Sequence, residues 1–292
     1  MEGIGEVSFS TLTILGKTFQ YNHMAVFMTW IVAALILGLA YVARKHLTLI
    51  PGKIQSLFEM IYDFLKEITI GTLGEEDGKK YLPFIVTLFI FILTANYIGL
   101  IPNIFKFVGV IVALLHKLVG GNVAVAFNSL TDIQVVAQHS AFYSFLLNAP
   151  DSYEPTRSVN MDLALATLVF FICHALGIRK KGLGEYLKGY ISEPFPSPLP
   201  LKGAWLILAV INPVVYFNLF MNLIGVVSTV VSHAFRLFGN IFGGSMIIVI
   251  VSTLLKFFLV PVGLFAFFGL FAGFVQAFVF TMLAVTYIQQ QQ

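Results

Sequence analysis

Charged residues are scarce in this sequence. Only 11% of its 292 residues are Asp, Glu, Lys or Arg, whereas 58% are hydrophobic, among them 30 Phe. A soluble domain usually has about 25% charged residues, because its surface must face water. So few charges exclude an ordinary soluble protein, and so many apolar residues exclude a disordered one. From Gly203 to Gln292 the sequence contains no Asp and no Glu, and its only Lys or Arg residues there are Arg236 and Lys256.

The sequence also lacks the residues of several common sites. Cys173 is the only cysteine, which excludes a disulfide framework and a cysteine-based metal site. The spaced glycines of a phosphate-binding loop before Lys-Ser or Lys-Thr are missing, so we expect no nucleotide-processing site. The net charge of +3 comes from short basic clusters beside apolar runs, a pattern that marks membrane topology. We therefore expect no metal, no cofactor and no nucleic-acid partner.

Three apolar runs before residue 203 are long enough to cross a membrane as helices. A helix needs about 20 apolar residues to span roughly 30 Å of hydrocarbon. Basic clusters follow the first and third runs and precede the second, and such clusters usually stay on the cytoplasmic side. The runs are Tyr21 to Ala43, Leu82 to Ile101 and Asn160 to Ile178, and the clusters are Arg44-Lys45-His46, Lys79-Lys80 and Arg179-Lys180-Lys181.

Two further segments lie outside these runs. Residues 51–70 place apolar side chains at helical spacing and charged residues largely on other faces. This pattern predicts an amphipathic helix on the cytoplasmic membrane surface, with a soluble connector helix as the alternative. Residues 103–157 form a predicted outer-side loop region. Within it, the apolar stretch from Ile104 to Leu118 fits an interfacial helix, a buried helix or a short re-entrant segment.

The end of the chain is unusually apolar. As one helix, Gly203 to Leu255 would be about 80 Å long, so it must be bent, strongly tilted or split into two spans. Asn212-Pro213 is a plausible break, because proline lacks the amide donor. Phe257 to Ile288 is also longer than a perpendicular span requires. The sequence therefore predicts an all-α polytopic membrane protein with five or six membrane helices and one surface helix. Residues 1–292 form a single membrane domain, whose last two helices, within residues 203–288, are long and strongly tilted.

Arg236 lies deep in this apolar segment. A charge at the centre of a membrane costs about 2.5–3.5 kcal/mol on insertion scales, so it needs water, a partner or a moving acid. Snorkelling to the interface, or pairing with an acid on an earlier helix, is the alternative. His233 either lines an ion path or packs as a neutral side chain. Gly239 and Gly243 allow another helix to approach closely. One predicted helical face carries His233, Arg236, Asn240 and Gly243.

The last predicted helix has a matching stripe. Gln276 is its one strongly polar side chain between Val260 and Leu283. A single Gln in a membrane helix can simply join two helices by a hydrogen bond. Two long helices, each with one polar anchor and a glycine-rich face, also indicate a pair that is pressed against another surface. The stripe consists of Gly269, Gly273, Gln276, Phe280, Leu283 and Tyr287.

Several sequence blocks resemble one protein family. The run Arg236-Leu237-Phe238-Gly239-Asn240 resembles the signature of subunit a of F-type ATP synthases. Phe274 to Tyr287 resembles that family's last helix. Pro51 to Glu59 resembles its surface helix, and Asn96 to Pro102 resembles the end of its second span. The Arg block and the later Gln block together are a specific combination, so the chain is similar to this family from about residue 50 onward.

The resemblance implies a stator subunit of a rotary ATP synthase. Such a subunit lies against the c-ring and forms two ion half-channels, for protons or, in some members, sodium ions. Arg236 would separate the half-channels and attract each deprotonated ring carboxylate, with Gln276 positioning it. Asn240 and Tyr287, in the matching blocks, are further ion-path candidates.

The resemblance also implies partners and a location. The partners would be the c-ring, peripheral stalk subunit b and the lipid bilayer. The location would be a bacterial-type plasma membrane, with the C-terminus in the cytoplasm. Synthesis and hydrolysis of ATP would take place on other subunits, so we expect no catalytic site in this chain. A secondary transporter with an intramembrane Arg is the alternative, although the sequence shows no internal repeat of the kind that is frequent in that class.

The sequence departs from the family pattern at three positions. Ser245 stands where many members have an acid, and Gly269 stands where some have a His. Ser158 stands where many members have an Asp. We expect Asp162, one helical turn after Ser158, to serve the outer half-channel together with Ser158, Asn160, Ser245 and water. The alternative is an ordinary acid at a helix start, where the helix dipole favours it.

Overall fold

The computed structural model describes residues 9–14, 17–45, 47–48, 50–100, 111–112, 115, 123–127, 133–137, 154–192, 212–255, 263–264 and 266–291. The helices are α1 (His23–Lys45), α2 (Lys53–Leu73), α3 (Glu75–Ile98), α4 (Val159–Lys181), α5 (Leu183–Ser192), α6 (Pro213–Leu255) and α7 (Gly273–Gln290). A 3₁₀ turn (Pro155–Arg157) precedes α4, and a π-helical stretch (Phe267–Ala272) leads into α7. Two antiparallel hairpins pair β1 (Phe9–Ile14) with β2 (Lys17–Asn22), and β3 (Val123–Phe127) with β4 (Ile133–Ala137).

Among the described residues, five helical segments are long and apolar enough to cross a membrane: four of them lie in α1, α3, α4 and α6, and the fifth is Phe267–Gln290. This confirms the predicted polytopic membrane fold with five or six membrane helices. The sequence does not predict the two short hairpins, of which β1–β2 precedes α1 and β3–β4 falls within residues 103–157. Most of the apolar stretch from Ile104 to Leu118 lies outside the described residues, as do residues 193–211.

α2 and α3 form a tight helical hairpin. Gly74 joins them with a φ of 82°, a left-handed conformation that glycine adopts without steric cost. A Cβ on Gly78 would lie 2.8 Å from the Cα of Ile70, so this close approach of the two helices requires glycine. The contact buries Leu65 and Leu73, whereas most apolar side chains in the first half of α2 are exposed. The position of α2 on a membrane surface stays a prediction.

α3, α4, α6 and α7 share the main hydrophobic core. Phe89 of α3 packs edge-on against Phe274 of α7, with 5.8 Å between the ring centroids. α2 joins the core through Phe64, whose ring centroid lies 5.6 Å from that of Phe278. Within a bilayer, such packing stabilises a helix bundle by van der Waals contact rather than by exclusion of water. The largest fully buried core side chains are Phe89, Phe280, Leu65, Ile85, Ile92 and Leu237.

α6 is one continuous helix of 43 residues. At 1.5 Å per residue it is about 64 Å long, about twice the thickness of the hydrocarbon layer. Pro213 suits its first position because proline has no amide hydrogen to leave unpaired. The Oδ1 atom of Asn212 accepts a hydrogen bond from the Val214 amide at 3.0 Å. Asn212-Pro213 is therefore where α6 begins, and the predicted break there stays a prediction, because residues 203–211 lie outside the described residues. The described part of the last apolar segment, Phe267–Gln290, has 24 residues, and the tilt of both long segments stays a prediction.

Two contacts show which helix ends share a side of the bundle. Lys180, near the end of α4, forms an ion pair with Asp77 at the start of α3, with 2.9 Å between Nζ and Oδ2. Gln291, just after α7, lies beside Gly177 near the end of α4. The start of α3 and the ends of α4 and α7 therefore lie on one side, called the basic side below. The start of α4 lies on the opposite side.

Candidate functional site

Arg236 lies near the middle of α6, on a face that the rest of the described chain leaves open. Its side chain is exposed, and it has no ion pair or hydrogen bond with any residue that the structure describes. A Cβ added to Gly239 or Gly243 would meet no atom within 4 Å. Phe238 and Phe242 stack on the same helix, with 5.3 Å between their ring centroids. This region presents a cation, bare backbone and aromatic rings to whatever covers it.

His233, one turn before Arg236, faces into the bundle. Its side chain is 2% exposed, and its ring centroid lies 3.7 Å from that of Phe280 and 5.5 Å from that of Tyr287. Its Nε2 atom has no hydrogen-bond partner among the described residues. The face predicted to carry His233, Arg236, Asn240 and Gly243 together is therefore divided: His233 packs inward, Asn240 is half-buried, and Arg236 is exposed.

Gln276 is buried in α7. Its amide nitrogen, Nε2, has no hydrogen-bond partner in the part of the chain that the structure describes, so a helix-joining hydrogen bond from this nitrogen is not formed there. The glycine end of its stripe faces α3, because the Asn96 Nδ2 donates to the Gly273 carbonyl at 3.0 Å. The aromatic end of the stripe faces α6, where Phe280 and Tyr287 contact the ring of His233.

A cavity of about 570 Å³ lies between α4, α5, α6 and α7. Its lining runs from the exposed charged side chains of Lys181 and Glu185, on the basic side, to the buried ring of His233. Since a water molecule occupies about 30 Å³ in the liquid, the cavity has room for several waters. It thus provides a polar path from the basic side to the turn that precedes Arg236. Further polar lining residues are His174, Tyr186, Tyr190, Asn222, Thr229 and Tyr287.

Three side chains on the cavity wall form a continuous hydrogen-bond chain. The hydroxyls of Tyr186 and Tyr190 lie 2.9 Å apart, and the Tyr190 hydroxyl lies 3.0 Å from the His174 Nε2. The His174 Nδ1 lies 3.1 Å from the carbonyl oxygen of Phe170. Because a carbonyl only accepts, Nδ1 carries the hydrogen, and Nε2 accepts from Tyr190. Burial, followed by the hydrogen bond with Tyr190, raises the pKa of the Tyr186 hydroxyl above its usual range, so it stays protonated.

Two asparagine side chains of α6 hold the end of α5. The Asn218 Nδ2 donates to the Ile191 carbonyl at 2.9 Å, and the Asn222 Nδ2 donates to the Tyr190 carbonyl at 2.8 Å. The last carbonyls of a helix have no partner within the helix, so these bonds stabilise that end. The sequence interpretation missed both asparagines, although their i, i+4 spacing in an apolar helix indicates one polar face.

Asp162 lies in the first turn of α4, on the opposite side of the bundle from Lys180. Its side chain is 0% exposed, and neither carboxyl oxygen has a hydrogen-bond partner among the residues described. An ionised carboxylate that is buried without a partner is strongly destabilising. The helix dipole at the start of α4 favours an acid there, but it does not require one that is buried.

The residues predicted to act with Asp162 make separate contacts. Asn160 is exposed, whereas Asp162, two residues later, is buried. The Ser245 hydroxyl donates to the Phe242 carbonyl at 2.8 Å. The Ser158 carbonyl accepts from the Asp162 amide at 3.2 Å, but its side chain makes no capping bond. Within the described ranges, no hydrogen bond joins the Asp162 carboxyl group to any of these three side chains.

A second polar contact on the opposite side links three segments that are distant in sequence. The Thr156 hydroxyl donates to the Asn96 Oδ1 at 2.8 Å, and the Asn96 Nδ2 donates to the Gly273 carbonyl at 3.0 Å. Thr156 and Asn96 are both buried, and buried polar groups of this kind stabilise a fold when their hydrogen bonds are formed. This link fixes the turn before α4, the end of α3 and the start of α7 relative to one another.

Comparison with known proteins gives the family. The sequence profile described as "ATP synthase A chain" matches residues 26–289. The chain is 31% identical over 265 residues to ATP synthase subunit a of Geotalea daltonii, a match that covers 91% of this chain and 86% of that protein. ATP synthase subunit a of Geotalea uraniireducens is also 31% identical, over 91% of this chain and 86% of its own length. The protein of the same name from Syntrophobacter fumaroxidans is 28% identical over 89% of this chain and 80% of its own length. The profile match extends from α1 to α7 and covers most of the chain, and the chain therefore belongs to the family of ATP synthase subunit a.

Proposed function

We propose that the chain is the ion-translocating stator subunit of a rotary ATP synthase, which works against a c-ring whose subunits carry membrane carboxylates. The observation that carries this proposal is the position of Arg236, an exposed cation in the middle of an apolar helix. A cation at the membrane centre costs about 2.5–3.5 kcal/mol. A ring that brings a carboxylate to the open face around Gly239 and Gly243 would offset this cost.

On this proposal, Arg236 attracts each ring carboxylate that has lost its ion, because a nearby cation favours the ionised form of an acid. It also separates the two half-channels, since an ion that passes without rotation must cross a fixed positive charge. The ion pair between Arg236 and a ring carboxylate has to break each time the ring advances by one subunit. The membrane potential supplies about 2.3 kcal/mol per elementary charge per 100 mV. The attraction between Arg236 and the carboxylate must therefore be of this order, so that the pair can separate again. Gln276 and Asn240 are the proposed positioning residues beside Arg236.

The cavity of about 570 Å³ is the proposed cytoplasmic half-channel. It begins on the basic side, and clusters of Lys and Arg favour the cytoplasmic side of a membrane. It ends at His233, one turn from Arg236, with Tyr287 on the facing wall. His233 and Tyr287 are therefore the proposed residues of its inner end.

Asp162 is the proposed acid of the outer half-channel. It lies one helical turn after Ser158, the position where many members of the family have an Asp. Its complete burial and its two unpartnered oxygens support this role, because such a group gains most from water that enters a path. Asn160 and Ser245 are proposed to line the same path, with water molecules between the separate side chains.

The proposed setting follows from the family. The partners are the c-ring, peripheral stalk subunit b and the lipids of a bacterial-type plasma membrane, with the C-terminus in the cytoplasm. The synthesis and hydrolysis of ATP take place on other subunits of the complex. The coupling ion is a proton, or a sodium ion if the carboxylate site of the ring selects it.

The test replaces Arg236 with Ala in the complete ATP synthase, in inverted membrane vesicles. We expect ATP-driven ion pumping and ion-driven ATP synthesis to be lost, because no charge then separates the half-channels. ATP hydrolysis by the soluble subunits should continue. Arg44→Ala, at the exposed end of α1, is the matched control and should pump like the unaltered complex. Coupled ATP synthesis that survives in the Arg236→Ala complex would refute the proposal.

A further inference from the structure

The hydrogen-bond chain of Tyr186, Tyr190 and His174 satisfies its members in two protonation states. With neutral His174, Tyr186 donates to Tyr190, and Tyr190 donates to the His174 Nε2. With protonated His174, Nε2 becomes a donor, both hydroxyls reverse, and the Tyr186 hydrogen faces the cavity. Each hydroxyl can donate and accept, so neither state leaves a member of the chain without a partner. The reversal moves one proton between the cavity and the imidazole ring.

The chain lies where protons could enter it. All three side chains line the cavity, whose exposed end carries Lys181 and Glu185. The Nδ1 of His174 is already bound to a carbonyl oxygen, so Nε2 is the atom that gains or loses a proton. The titratable and charged groups around the cavity, apart from the chain itself, are Cys173 and Lys181 of α4, Glu185 of α5, His233 of α6 and Tyr287 of α7.

We propose that Tyr186, Tyr190 and His174 form a proton relay, which collects protons from the water on the basic side and holds one proton at His174. A hydronium ion or a protonated buffer molecule gives a proton to the Tyr186 oxygen. Tyr186 passes its own proton to Tyr190, and Tyr190 passes its own proton to the His174 Nε2. The products are an imidazolium and the deprotonated donor, and the reverse sequence returns the proton to the cavity. This inference rests on the proposed function, because it gives the cytoplasmic half-channel a fixed proton acceptor.

The alternative, that the Tyr190 hydroxyl only holds α5 against α4, has weaker support in the contacts. Asn218 and Asn222 already bind the last carbonyls of α5. The rings of Tyr186 and Tyr190 also pack together, with 5.3 Å between their centroids, and Tyr190→Phe keeps this contact. Removal of the hydroxyl therefore interrupts the relay at its centre, while the contacts that position α5 remain.

The test measures ATP-driven proton pumping by the complete complex with Tyr190→Phe in inverted vesicles, whose outer bath contacts the cytoplasmic side. In weakly buffered solution at alkaline pH, where protons are scarce, we expect a loss of about fivefold, the equivalent of one hydrogen bond. Added imidazole buffer should restore most of the rate, because a mobile proton carrier replaces the fixed one. Tyr186→Phe should behave in the same way, and Tyr62→Phe, on the exposed part of α2, should pump normally.

The results that would refute the proton relay differ from those that would refute the proposed function. Normal pumping by Tyr190→Phe in weak buffer overturns the relay, as does a loss that imidazole does not restore. Pumping of sodium ions instead of protons by the unaltered complex also overturns it, although the proposed function would stand. Arg236→Ala should stay inactive in imidazole, since its defect is not the supply of protons. If Arg236→Ala pumps normally, it is the proposed function that fails.

Discussion

Asp162 and His233 are two buried ionisable side chains in very different surroundings. Both have polar atoms without a hydrogen-bond partner among the described residues. His233 lines a cavity that reaches the basic side, whereas Asp162 is not among the residues that line it. Water that enters from the basic side can therefore reach the wall that His233 forms, although the Nε2 atom itself is buried. Asp162 has no such access through the cavity, so its partner has to come from the opposite side.

The two proposed half-channels also differ in construction. On the basic side, residues of α4, α5, α6 and α7 line the cavity, with Tyr186, Tyr190 and His174 in one hydrogen-bond chain. On the opposite side, Asp162 makes no side-chain hydrogen bond with the described residues. The described residues therefore supply Asp162 to the proposed outer path but no side-chain partner for its carboxyl group. Four substitutions test this difference.

Asp162→Asn should have the largest effect. The amide keeps the size of the side chain but cannot exchange a proton, and loss of an acid–base group typically costs about 100-fold or more in rate. We therefore expect ATP-driven proton pumping to fall by about that factor. Asp63→Asn, on an exposed position of α2, is the matched control. If Asp162→Asn pumps at the normal rate, Asp162 does not serve the outer half-channel.

Gly177→Ala should have the second largest effect, because the added methyl group disturbs the cavity wall. A Cβ on Gly177 would lie 2.8 Å from the Tyr186 Cε2 and 2.9 Å from the Gln291 Oε1, whereas a Cβ on Gly225 would meet nothing within 4 Å. Overpacking usually costs about 1–3 kcal/mol. The Gly177→Ala complex should therefore lose pumping at a lower temperature than the Gly225→Ala complex. Equal heat resistance would mean that Tyr186 moves aside without cost.

His233→Gln should have a smaller effect on pumping than Asp162→Asn. The Gln amide can donate to cavity water and accept from it, so the inner end of the cavity stays polar. We expect a reduction of no more than about fivefold, the value of about one hydrogen bond. The measurement is the initial rate of ATP-driven proton pumping. A loss as large as that of Asp162→Asn would show that His233 itself exchanges protons.

Thr69→Val is the reference for a buried polar group without a proposed role. The Thr69 hydroxyl, in α2, is fully buried and has no partner among the described residues. Valine has nearly the same shape and removes the unpaired oxygen. The free energy of unfolding should therefore stay the same or rise by less than about 1 kcal/mol, and the complex should lose pumping at the same temperature or a slightly higher one. Pumping should not change. A clear loss of pumping would show that Thr69 does have a role. Burial without a hydrogen-bond partner would then no longer distinguish Asp162 from it.

The membrane helices could be predicted from the sequence because their signal is local. A long apolar run that ends in Arg44-Lys45 identifies α1 without any knowledge of its neighbours. The continuity of α6 could not be settled in this way, because Asn212-Pro213 suits both a helix break and a helix start. The start of α6 at Pro213 is stabilised by the Asn212 hydrogen bond to Val214, which the sequence alone does not reveal.

The candidate site was predictable only in part. Arg236 is conspicuous because it is the only basic residue in a long apolar run, histidine apart. The cavity was not predictable, because side chains from four helices meet there. The hydrogen bond between His174 and Tyr190, for example, depends on how α5 folds back after Gly182, which has a φ of 80°. A single helical wheel also cannot show that His233 faces the core while Arg236 is exposed, since this depends on where α7 packs.

The unbroken length of α6 has a mechanical consequence. If the proposed function holds, a ring that turns past Arg236 would exert a sideways force on the stator, and a continuous hydrogen-bonded helix such as α6 would resist bending under it. Asn218 and Asn222 of the same helix donate hydrogen bonds to the end of α5. Asn218 lies about 27 Å from Arg236 along the helix axis. Under the same proposal, α5 would share this force with α6 through the two hydrogen bonds. A shorter α6, or the loss of its hydrogen bonds to α5, would make the stator less able to resist the torque of the ring.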